Sequence, residues 1–250
     1  MELHFGSGYL YGIGPSGTPV RFGVLDEVDV DFTFTEKPLY GQWVYPVDIG
    51  RGSCKVTGKA KSAQISGRQW NDLVFGQALS TPGQLLVTDS EVGSVGSATP
   101  YTYTVANAAT FSENLGVRYA STGLPLTQVA TPSAAGEYSV SSGGVYTFSA
   151  GDASASILVS YAYTSTSGNG SNSTVSNVLQ GAAPSFGLVA NEPYTNDAGV
   201  SLQLTINLFK CKSNKLTLPI KQDDYMIEEI DFSAMQNAAG QVFEYSTGEM

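Results

Sequence analysis

Between Val28 and Thr35 the sequence VDVDFTFT alternates without a break, and this run constrains the chain more than any other. Val28, Val30, Phe32 and Phe34 fall on one side, and Asp29, Asp31, Thr33 and Thr35 on the other. A period of two, with β-branched and aromatic residues on one side, predicts a strand with one buried and one wet face. A second such run follows at Cys54 to Ile65, where Cys54, Val56, Gly58 and Ala60 oppose Lys55, Thr57, Lys59 and Lys61. An acidic wet face and a basic one so close in sequence predict neighbouring strands whose cross-strand pairs attract. The connection between them, Glu36 to Ser53, holds Tyr40, Trp43, Tyr45 and Pro46 and reads as a long aromatic loop of the kind that carries function. Beyond Ile65, Ser66 is placed to cap a short helix on which Trp70, Leu73 and Val74 share a face.

The middle of the chain has another character. From Ser97 to Ala183 there are three acidic residues and one basic one, against nineteen and eleven in the flanks. Short alternating runs such as TPYTYTVA, GEYSVSSGGVYTFSA and SASILVSYAYTST are separated by turn residues, which predicts a small β-sandwich. A Ser/Gly/Asn tract, Thr164 to Thr174, reads as a flexible linker. The division expected is a discontinuous outer domain, residues 1–96 and 168–250, with an inserted domain at 97–167. In the returning flank, Val200 to Lys221 reads as two strands joined by a turn at Ser213-Asn214.

Chemistry is harder to find. The one histidine, His4, has no ligand-type neighbours, so no zinc site and no Ser-His-Asp set is expected. The carboxylates Asp223, Asp224, Glu228, Glu229 and Asp231 could mimic a glycosidase pair or a calcium loop, but their spacing fits no EF-hand and they alternate with apolar residues as a strand edge does, which favours a solvated face over acid-base work. No catalytic residue, metal or cofactor is expected, and the chain reads as a non-enzyme. A formal charge of −10 disfavours a surface that grips nucleic acid, though not one that nucleic acid slides past. No apolar run is long enough for a transmembrane helix, and MELHFGSGYL shows no signal-peptide pattern, so no membrane insertion is expected. Cys54 and Cys211 are expected to be buried, reduced thiols.

The flanks resemble the major tail tube proteins of tailed bacteriophages. The resemblance is carried by PVRFGVLDEVDVDFTFTEKPLYG (Pro19 to Gly41), YPVDIGRGSCKVTGKAKSAQISG (Tyr45 to Gly67), WNDLVFG (Trp70 to Gly76), the run from Ala183 to Ala234, and AGQVFEYSTGE (Ala239 to Glu249). It implies a mainly β fold, a tail-tube-type sandwich or barrel with one short helix, here with an inserted Ig-like β-sandwich on the outside. It also implies a virion structural protein, assembled in the host bacterial cytoplasm, whose partner is itself: hexameric rings stacked into a tube that conducts genome DNA into the host. Other tail proteins would meet its ends and surfaces, namely a terminator, a baseplate or tip, a tape measure and, in a contractile tail, a sheath. Pooling strands around a ring fits the physics, because barrel diameter grows with strand number and ring closure removes exposed edges. In such a tube Asp29 and Asp31 are expected on the channel wall, with Lys55, Lys59 and Lys61 paired to carboxylates so that they do not drag on phosphate. Tyr40, Trp43 and Tyr45 are expected to pack across a subunit boundary. The alternatives from the same residues are another tail or secretion tube protein, terminator-like or needle-type, and an Ig-containing carbohydrate-binding module.

Overall fold

The computed structural model describes residues 6, 8–64, 66–195 and 199–248; His4 lies outside them. The fold is mainly β, with one short helix. In chain order the strands are β1 (Tyr9–Ile13), β2 (Pro19–Arg21), β3 (Leu25–Leu39) and β4 (Asp48–Ser62), and then the helix α1 (Gly67–Trp70), which runs into a π-turn over Asn71–Phe75. The middle of the chain supplies β5 (Leu85–Ser94), β6 (Thr102–Thr104), β7 (Phe111–Tyr119), β8 (Thr127–Gln128), β9 (Glu137–Val140), β10 (Val145–Phe148) and β11 (Ser156–Thr164). The return adds β12 (Phe186–Thr195), β13 (Ser201–Thr217), β14 (Glu228–Ala234) and β15 (Phe243–Thr247).

Two compact units result, residues 1–78 with 174–250, and residues 79–173. This moves both boundaries outward from the expected 97–167. The reason is pairing. β5 runs antiparallel to β11 from Leu85↔Thr164 to Ser94↔Ser156, so it belongs to the insert. The Ser/Gly/Asn tract is not a free linker either: Ser165 and Asn172 donate backbone N–H groups to Gln84 and Ser80, and Ser80 and Gly83 donate back to Asn172 and Gly170. A tract that looks featureless in sequence thus has its backbone bonds satisfied by the segment that enters the insert.

In the first unit the sheet order is β2-β1-β12-β13-β14-β4-β3, with β15 also on β13, and every pair is antiparallel. β13 holds it together. Its first half pairs with β12 on one edge and β15 on the other; its second half, Cys211 to Thr217, pairs with β14. The turn expected at Ser213-Asn214 is instead a bulge between Ser213 and Lys215, where the Ser213 hydroxyl donates to the Asp231 carbonyl at 3.2 Å. A bulge keeps one strand continuous while re-aiming its side chains. The core gathers Leu10, Phe186, Leu188 and Leu208 from one part of the sheet, Val56, Ala60, Ile230 and Phe232 from the other, and Leu73 from the π-turn. Gly58 is needed where it stands, since a Cβ there would lie 2.6 Å from the Phe232 ring. Ser66 caps α1 as its sequence position predicts, accepting from the Gln69 amide at 3.3 Å, and Gly76 ends the π-turn at φ +64°.

The second unit packs a four-stranded sheet, β6-β10-β9-β8, and a three-stranded one, β5-β11-β7, around a shared core. That core is rich in tyrosine, and its few charges are spent on hydroxyls. Glu91 accepts from Tyr103 and Tyr161, each at 2.6 Å, and Asn114 accepts from Tyr146 while donating to Tyr138, both at 2.9 Å. Buried hydroxyls need such partners.

Candidate assembly surface

The wet faces of β3, β4, β14 and β13 carry a ladder of charge. In register, Asp29 faces Lys59, Lys59 faces Asp231, and Asp231 faces Lys215; one step along, Glu27 faces Lys61, which faces Glu229. In the Asp29 row the strands from β3 to β13 therefore read acid, base, acid, base, and the Glu27 row ends on Thr217. Lys59 reaches Asp29 at 2.9 Å and Glu27 at 3.2 Å, Lys61 also pairs with Glu27, and Lys215 reaches Glu229 at 2.6 Å and Asp231 at 3.6 Å. The bonds from Lys61 and Lys59 hold the Glu27 carboxyl below its usual range, and Lys215 does the same for Glu229. Asp29 chiefly, then Glu27, pushes the Lys59 ammonium up. Lys59 and Lys61 are thus paired to carboxylates as expected. Lys55 is not: it sits opposite Thr33, and among the described residues no carboxylate pairs with it. Asp31 shares the ladder face with Asp29 but lies opposite Thr57.

Past Phe32↔Val56 the same two strands leave the core and project as a β-arm. The expected long loop, Glu36 to Ser53, is mostly strand, because β3 and β4 keep pairing through Lys37↔Gly50 to Leu39↔Asp48. Arg51 lies over the Phe34 ring at 3.2 Å, and Thr35 bonds to Ser53. The tip, Tyr40 to Val47, is closed by the Val47 amide donating to the Leu39 carbonyl at 2.8 Å. Tyr40, Trp43 and Tyr45 all lie in this tip, with Trp43 69% exposed, Val44 88% and Tyr45 81%. So many large apolar side chains left exposed in one short tip suggest an interaction site. Cys54 lies on the arm and is exposed, contrary to expectation, whereas Cys211 is buried in the core with its thiol pushed up to about 12 by burial. Alternation alone does not show where the core stops along a strand.

Behind the ladder sits a residue that the sequence hides. Glu228, expected on the solvated face, is 1% exposed at the start of β14. Its carboxylate accepts from Gln69 Nε2 at 2.8 Å and from the Trp70 indole N–H, tying the helix to the sheet. Burial pushes its carboxyl above the usual range, and the Trp70 and Gln69 bonds pull against that. One signal could have found it: of the run EEIDF, the first residue falls on the face of Ile230 and Phe232.

Among the described residues no group of three His, Cys, Asp or Glu side chains is arranged to hold a metal, and no helix is long and apolar enough to cross a membrane. In comparisons with known proteins, no family model and no curated protein matches the chain.

Proposed function

We propose that this chain is a self-assembling structural subunit of the tailed-bacteriophage tail tube type. Copies close into hexameric rings, and the rings stack into a hollow tube whose channel conducts DNA, within a virion tail that also holds terminal, tip and tape-measure proteins. One observation carries the reading: a paired β-arm, continuous with the ladder strands, holds its aromatic tip away from the core of its own subunit. Leaving three aromatics in water is costly, since burying each is worth roughly 1.5–3 kcal/mol, and a second copy is the natural cover. The ladder supports the channel role. Lys59, Lys61 and Lys215 are held by carboxylates, which weakens their pull on phosphate, so Asp29 and Asp31 on a channel wall would present DNA with a largely charge-paired face.

Negative-stain microscopy and light scattering of the purified chain test the reading. Long hollow tubes are the expected result, and a protein that stays monomeric as its concentration is raised overturns it. The same measurement on a chain with residues 79–173 removed and Ala78 joined to Thr174 by a short Gly/Ser linker should again give tubes. Ser80 and Asn172 exchange backbone bonds at 2.9 and 3.0 Å, so the entry and exit of the insert lie side by side and its removal leaves little gap. If the shortened chain folds and stays monomeric, the insert is part of the assembly contact.

A further inference from the structure

Besides the outer edges of β2 and β15, two edges of the first unit's sheet, both bordering the charge ladder, lack strand partners among the described residues. One is the outer edge of β3, which ends the strand order; the other is the second half of β13, which meets only β14 once Cys211 has paired with Phe186. Open edges of this length invite another chain. Resting on the self-assembly reading above, we propose that these two edges join: β3 of one copy adds, antiparallel, to Lys212–Thr217 of the next, and the charge ladder sets the register.

The order of charge carries the argument. Across one subunit the Asp29 row runs acid (β3), base (β4), acid (β14), base (β13), so a second acidic β3 beside β13 continues the alternation without a fault. Direction agrees as well. With all three internal pairings antiparallel, β13 runs opposite to β3, and a rotated copy places its β3 antiparallel to that β13. Such a contact uses two different surfaces, so it is heterologous, the type that forms a ring when the rotation between copies closes.

The third row of the ladder is the decisive one. Reading across, it is Asp31, Thr57, Ser233 and Lys212. Its acid and its lysine occupy the two open edges and face only neutral hydroxyls inside the subunit. Lys212 donates to the Gly181 carbonyl at 3.1 Å, and among the described residues neither Lys212 nor Asp31 has an oppositely charged partner. Joined edges bring these two together, with Lys215 against Asp29 in the row beside them. A slip by one residue would turn Val28 and Val30 onto the charged face, so the pairing is restricted to registers that keep lysine against carboxylate. Beneath the β3 edge, Val28, Val30, Ala190, Leu204 and Ile206 line an open groove of about 610 Å³. The incoming edge would cover it, with the half-exposed Leu218 just beyond Thr217 on the apolar side.

Charge exchange tests this directly. Asp31→Lys and Lys212→Glu should each keep the wild-type melting temperature, because their neighbours within the subunit are neutral. Each alone should lower the assembled fraction at a given concentration by about tenfold or more, since like charges then meet at every joint. The double variant Asp31→Lys/Lys212→Glu should assemble again. So should an equimolar mixture of the two single variants, since copies alternating around an even-membered ring restore an opposite-charge pair at every joint. If the folded single variants assemble as the wild type does, or if neither the double variant nor the mixture recovers, the edge pairing is overturned. In those cases the wild type still assembles and the broader reading stands; a monomeric wild type overturns both.

Discussion

Trp43→Ala combined with Tyr45→Ala should abolish tube formation at concentrations where the wild type polymerises, while the thermal melt of the isolated subunit stays where it was. Both side chains stand at the tip of the arm, 69% and 81% exposed, and neither belongs to the core of the first unit. Surface changes of this kind usually alter stability by less than about 0.5 kcal/mol. In an assembled interface the same truncations remove roughly 1.5–3 kcal/mol each, and about 1.4 kcal/mol is a factor of ten in an association constant. Because every joint in the proposed tube would repeat the loss, a modest penalty per contact would become a sharp shift in the concentration needed to polymerise. Sedimentation at several concentrations reads that shift. A double variant that polymerises like the wild type would leave the arm without a role in assembly.

The arm also shows what the sequence could and could not convey. Alternation located the strands at Val28–Thr35 and Cys54–Ile65, and opposite charge on their wet faces identified them as neighbours; Asp29↔Lys59 is that inference realised. It could not show that pairing continues to Leu39 and Asp48, because beyond Phe34 both faces are exposed and no buried side marks the register. Glu228 was misplaced for a related reason. A carboxylate in an acidic run looks solvated, and its partners Gln69 and Trp70 lie some 160 positions away, on a helix the sequence shows only by its cap and its apolar face. The insert boundary was misread because charge density changes at Ser97 whereas the strand that belongs to the insert begins at Leu85. Composition reports surface; pairing decides domain membership.

Glu228→Ala should destabilise the first unit by about 2–4 kcal/mol, since a buried donor left without its acceptor costs roughly 1–3 kcal/mol. The substitution leaves the Trp70 indole N–H and the Gln69 amide without their acceptor, and it empties space at the start of β14. Glu228→Gln is expected to behave differently. Its carbonyl can still accept from Trp70, and its amide can donate to Gln69 once the Gln69 amide turns over to present Oε1, a buried acceptor that has no partner in the wild type. The pH dependence separates charge from shape. The folded-state pKa of Glu228 is raised above its ordinary 4.5 by burial, so its contribution is most favourable below that value and declines as pH rises through the folded pKa. Glu27 and Glu229 have the opposite sign: their carboxyls are held low by lysines, so their contribution is present above about 4.5 and is lost as pH falls through the folded values. Both proteins share those two residues, so the difference between wild type and Glu228→Gln isolates Glu228 alone. Urea unfolding at pH 4 and pH 8 should show the glutamine variant gaining on the wild type toward pH 8. A wild type that gains on the variant over that interval would mean that the bonds from Trp70 and Gln69 outweigh the cost of burying the charge.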